Sequence, residues 1–101
     1  MKPIERHCDI QFLVCVNERP GSNPLPSCGA ERGNAFFNFF RSAAVSWGAR
    51  HGLQVWVNRS LCQGFCDKDG VSVAAFPQQK RWNAVTEADV PEILRIIEEN
   101  L

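Results

Sequence analysis

Leu53-Gln54-Val55-Trp56-Val57-Asn58 reads as a strand from its alternation of side chains. It decides the fold because of what precedes it. Residues 10–16, Ile-Gln-Phe-Leu-Val-Cys-Val, are a mostly apolar run suited to a buried strand. Between the two lie a loop over 17–33, with three prolines and three glycines, and a helical pattern from Asn34 to Arg50. Phe36, Phe37, Phe40, Ala43, Ala44 and Trp47 recur there at three- and four-residue steps as one aromatic-rich face. Asn34 is the expected N-cap and Gly52 the expected stop. Strand, helix and strand in this order imply two parallel strands joined by a right-handed crossover.

The remaining chain extends that unit. Arg59 to Gly70 read as a second loop, Val71 to Phe76 as a third strand, and Pro77-Gln78-Gln79 as a turn into a short fourth strand over 80–84. Thr86 and Asp89 have capping-box spacing, and Val85 and Val90 occupy the staple positions of a last helix. Its apolar stripe is Val90, Ile93, Leu94, Ile97 and Leu101. Pro91 is awkward in a helix that starts just after Thr86, because it removes a donor one turn in. The expected class is α/β: β-α-β, then a β-hairpin, then α. This makes a mixed four-stranded sheet with helices packed on it, a thioredoxin-like arrangement. Residues 1–9 are expected to be a flexible N-terminus and 10–101 a single domain.

Lysine plus arginine equals aspartate plus glutamate, eleven each, so the formal charge is zero, against a general nucleic-acid binder. No apolar run has the length of a membrane span, and the N-terminus lacks the apolar region of a signal peptide. The expected compartment is therefore the cytoplasm, where structural disulfides are rare. Five cysteines, an odd number, also suit a disulfide framework poorly.

Four of the five form two pairs: Cys15 and Cys28 with twelve residues between them, Cys62 and Cys66 with three. In the expected sheet both loops leave the carboxyl ends of the first two parallel strands, where open α/β sheets place ligands. Four thiolates suit a [2Fe–2S] centre. Gly29 and Gly64 would let backbone N–H groups approach the sulfurs. Zinc takes the same ligands tetrahedrally, although its sites more often show short Cys-x2-4-Cys spacing at both ends. A dithiol oxidoreductase would want Cys-x-x-Cys at a helix start, which the close pair does not provide. Inert buried cysteines explain four on two loops least well. Spacing thus favours iron–sulfur and leaves zinc open.

Several segments together resemble the thioredoxin-like [2Fe–2S] ferredoxins, in their stand-alone branch. They are Phe12 to Pro20, Ser27-Cys28-Gly29, Val57-Asn58-Arg59-Ser60 leading into Cys62-Gln63-Gly64-Phe65-Cys66, and Val85-Thr86 with Asp89-Val90. The resemblance covers nearly all of the chain after residue 9. It implies a [2Fe–2S] cluster ligated by Cys15, Cys28, Cys62 and Cys66, and one-electron transfer between redox partner proteins. It also implies a homodimer and no enzymatic substrate. Leu61 replaces a usual glycine, Gln63 a common leucine, and Pro91 is shifted from its usual place. None of these removes a ligand. A redox-sensing or protective protein that binds a partner enzyme would share every ligand. A four-cysteine zinc-stabilised binding module is the non-redox alternative.

Cys8 reads as a spare thiol outside the pattern, and His7 and His51 as surface histidines rather than Rieske-type ligands. Trp47, Trp56 and Trp82 read as core or dimer-contact aromatics. Arg19, Arg32, Arg59 and Lys68 read as solvated loop charges, or more sharply as charges that steer an acidic partner.

Overall fold

The computed structural model describes residues 1–4, 6–16, 30–60 and 70–101. Its strands are β1 (Ile10–Cys15), β2 (Val55–Ser60), β3 (Val71–Phe76) and β4 (Lys80–Val85); its helices are α1 (Ala30–Arg50) and α2 (Val90–Glu99). The sheet order is β2-β1-β3-β4. β1 and β2 run parallel, and the β1–β3 and β3–β4 pairs are antiparallel. This is the mixed α/β sheet expected from the β-α-β and hairpin pattern.

Strand alternation divides the sheet into two faces. Ile10, Phe12 and Val14 of β1, Val55 and Val57 of β2, and Val71, Val73 and Ala75 of β3 face the core. Phe36, Phe37, Phe40, Ala44 and Trp47 of α1 pack there, with Val90, Ile93, Leu94 and Ile97 of α2. Phe12 meets Phe40 edge to face, with ring centroids 4.9 Å apart. Trp47 is a core residue and Trp82 packs against the core, whereas Trp56 pairs with Gln11 on the other face.

Several boundaries differ from the sequence reading. α1 begins at Ala30, so Asn34 lies inside it and is not its N-cap. Gly33 suggested a loop, yet it is buried in the helix. A Cβ at Gly33 would lie 2.6 Å from the Cys15 carbonyl oxygen and 2.8 Å from the Val16 Cα. Close approach of helix and strand thus offsets the roughly 1 kcal/mol that glycine costs in a helix. β2 starts two residues later than expected, because Leu53 is held in the turn by donating to the Gly48 carbonyl at 2.8 Å. It also runs on to Ser60, so Arg59 and Ser60 are strand residues paired with Val14 and Cys15. Gly52 does end the helical turn, at φ 67°.

At the C-terminal end, a single 3-10 turn over Glu87–Asp89 precedes α2. Pro91 therefore falls in the first turn of α2, where a missing N–H breaks no helical bond. The Asp89 carboxylate accepts from the Thr86 N–H at 2.9 Å and from its hydroxyl at 3.1 Å, as the capping-box spacing implied. Leu101 is exposed beyond α2 and does not extend its apolar stripe. No helix among the described residues is long and apolar enough to cross a membrane.

Candidate metal centre

Cys15 is the last residue of β1 and is fully buried. Strand alternation puts its side chain on the face opposite Val14, and it is not part of the two-helix core cluster. Its register partner is Ser60, the last residue of β2. The pairing continues one step further, with the Val16 N–H donating to the Ser60 carbonyl at 2.9 Å. The carboxyl ends of the two parallel strands are therefore level and hydrogen-bonded. Cys28, Cys62 and Cys66, with Gly29, Gly64, Leu61, Gln63, Phe65, Arg19 and Lys68, lie outside the described residues. So do residues 17–29 of the loop expected over 17–33 and residues 61–69 of the second expected loop.

The anchor points of those segments are described. The chain leaves β2 at Ser60 and re-enters the sheet at Gly70 and Val71. β2 and β3 flank β1 on opposite sides. The Cys62–Cys66 segment thus starts and finishes on either side of the strand that ends in Cys15. Gly70 secures the return: a Cβ there would lie 2.3 Å from the Ala84 carbonyl carbon, so only glycine fits against β4 without displacement. The Cys28 segment returns at Ala30, one helical turn before the Gly33 contact with Cys15.

Arg59 differs most from its sequence reading as a loop charge. Its Nε donates to Asn34 Oδ1 at 2.7 Å, and its guanidinium lies 4.0 Å from the centre of the Phe37 ring. It ties the end of β2 to the first turns of α1, next to both cysteine segments. Spacing within the sequence gave no sign of this, because Asn34 and Arg59 are 25 residues apart. The side chain of Arg32 lies outside the described residues.

The residues left out of the cysteine pattern stand elsewhere. Cys8 precedes β1, so the whole strand, on the order of 20 Å, separates it from Cys15. Burial first, and the Asp9 carboxylate second, push its thiol above the ordinary range. His7 and His51 are exposed. His51 follows the end of α1, with its ring centroid 5.2 Å from that of Trp47 and its Nε2 3.7 Å from Glu98. Among the described residues no three His, Cys, Asp or Glu side chains converge on one point.

The solved thioredoxin-like [2Fe–2S] ferredoxin of Aquifex aeolicus superposes on this chain with a TM-score of 0.68 and 25% identity, over 85% of this chain and 82% of that one. The chain has the thioredoxin-like [2Fe–2S] ferredoxin fold. A second structure of a ferredoxin of this kind from the same organism gives 0.68 at 24% identity, over 84% and 76% of the two chains. A cysteine-to-serine variant of that ferredoxin gives 0.63 at 25% identity, over 85% and 83%. Two such variants alter cysteines four positions apart in that protein. No family model matches the chain, and no curated protein does.

Proposed function

We propose that this chain is a [2Fe–2S] ferredoxin, a one-electron carrier between redox partner proteins, with Cys15, Cys28, Cys62 and Cys66 as the cluster ligands. The observation that carries this is the register of Cys15 with Ser60 at the level carboxyl ends of β1 and β2. Chain length does the rest. Cys62 is two residues from Ser60 and Cys28 two from Ala30, each a reach of about 7 Å at most. Cys66 is four residues from Gly70, a reach of about 14 Å. These lengths allow all four cysteines to reach one end of β1. The spacing of Cys62 and Cys66 is also that of the two cysteines altered in the Aquifex variants.

The donor set fits the group: thiolates alone, with the described member fully buried. A bound [2Fe–2S] centre supplies a one-electron couple. The chain supplies what surrounds it. Cys15 holds its sulfur away from water. Gly33 and Gly70 let α1 and β4 close against the neighbouring backbone. Arg59 brings a positive charge to the same end of the sheet. Cytoplasmic location, a homodimeric state and the division into a flexible 1–9 and a domain over 10–101 are part of the same proposal.

The visible spectrum of the purified protein, with iron and acid-labile sulfide counts, tests it. A reddish-brown protein with two irons and two sulfides is expected. A colourless, zinc-replete protein made under iron-sufficient conditions would defeat it. Serine at Cys15, Cys28, Cys62 or Cys66 should shift or abolish the spectrum, and serine at Cys8 should leave it unchanged.

A further inference from the structure

Arg59 breaks the pattern of its strand. Alternation places it on the face that carries Val55 and Val57, the face packed on α1, where those two positions are apolar and buried. Arg59 is exposed, yet its side chain is held at two points. Nε donates to Asn34 Oδ1 at 2.7 Å, and the guanidinium lies 4.0 Å from the centre of the Phe37 ring. Phe37 is itself a core residue, so the cation rests on a fixed platform. An apolar side chain could pack on Phe37 as well; the planar guanidinium adds a bond of set direction to Asn34.

Three described points bound the cysteine-bearing segments. The Cys28 segment departs at Val16 and returns at Ala30, and the Cys62–Cys66 segment departs at Ser60. Each pair of elements behind these points has its own tie. β1 and β2 are joined by the Val16 N–H bond to the Ser60 carbonyl at 2.9 Å. α1 and β1 meet at Gly33, where a Cβ would lie 2.6 Å from the Cys15 carbonyl oxygen. β2 and α1 are joined at this end by Arg59. The first two ties involve backbone alone, whereas the third depends on one side chain.

We propose that Arg59 is a positioning residue for the two cysteine-bearing segments, holding the departure of one at Ser60 to the return of the other at Ala30; that these segments carry a cluster rests on the ferredoxin reading. The tie works through Asn34, within the first two turns of α1, and through Ser60, the next residue of β2. Opening it lets the end of β2 and the start of α1 part locally without unfolding the core, since Phe36, Phe40 and Trp47 still hold α1 to the sheet. An exposed contact of this kind shifts such a local opening by about two- to fivefold.

The test follows the purified holoprotein, its iron and sulfide counted first, through loss of visible absorption in excess EDTA. In parallel it follows amide hydrogen exchange over 33–37 and 55–60. Arg59→Gln and Asn34→Ala should each speed both processes about two- to fivefold, and the double variant should be no faster than the faster single one. Arg59→Lys should recover part of the difference, and Arg50→Gln, at the far end of α1, should match wild type. Ile97→Val lowers global stability from a buried site on α2, so it separates a local tie from general loosening; it too should match wild type. Wild-type rates in Arg59→Gln would overturn the proposal. So would a fast Arg59→Gln beside an unchanged Asn34→Ala, which makes the charge responsible instead of the tie. Faster exchange with unaltered iron loss, or an Ile97→Val as fast as Arg59→Gln, would overturn it as well. A protein without iron defeats the ferredoxin reading alone, because the exchange measurement still decides whether Arg59 holds the ends of the segments.

Discussion

Cys15 and Ser60 stand opposite each other as the last residues of two parallel strands, and the ladder between those strands runs one bond beyond them. Because of that register, the strand ends from which both cysteine-bearing segments depart are level.

Gly33→Ala should destabilise the protein by about 1–3 kcal/mol, the usual cost of overpacking. The new methyl meets the Cys15 carbonyl and the Val16 Cα, which are backbone atoms and cannot swing aside. Urea unfolding of wild type and variant measures the difference. A stabilisation, as expected for alanine in an open helix position, would show that α1 does not press on β1 at this point.

Asn34→Ala and Arg59→Ala should be non-additive, with a coupling of about 0.5–1 kcal/mol for an exposed pair. Arg59→Lys should restore only part of the loss, since lysine keeps the charge but not the planar guanidinium that lies on Phe37. A double-mutant cycle by chemical denaturation checks both statements.

Phe40→Ala should cost about 3–5 kcal/mol. Phe40 is fully buried and touches both Phe12 of β1 and Phe36 of its own helix. Thermal and urea unfolding should agree, and Val45→Ala, at an exposed position of the same helix, should cost far less.

The Glu92 carboxyl is held below the ordinary carboxylate range by its hydrogen bond from Arg95 and by the charge of that guanidinium. A lowered folded-state pKa gives a contribution present above the unfolded pKa and lost as pH falls through the folded one. Carbon-detected NMR titration should place the Glu92 midpoint below that of an unstructured glutamate, and Arg95→Gln should raise it. The site is fully exposed, so global stability should change little.

The alternation of 53–58, the apolar run at 10–16 and the aromatic period of the helix were enough to read β-α-β, and the hairpin and capped last helix followed from local signals. These patterns are carried by neighbours in sequence, so the sequence by itself determined the order and type of the elements and the spacing of the cysteine pairs. Local signals failed where a distant contact outweighed them. Gly33 reads as a helix breaker until β1 lies against it, and Arg59 reads as a loop charge until Val14 pairs with it and Asn34 and Phe37 receive its side chain. Pro91 conflicts with a helix from Thr86 until the 3-10 turn moves the start of α2 to Val90.

Only the tertiary structure decided which sheet face each side chain occupies. Cys15 and Val14 are neighbours in one apolar run, yet alternation sends Val14 into the two-helix core and Cys15 to the other side. It also decided that Arg6 and Arg81 lie over Trp56 and Phe76, while five exposed carboxylates fall within residues 87–99. A composition of eleven against eleven carries no information about that placement, because net charge sums over positions that only folding assigns to faces.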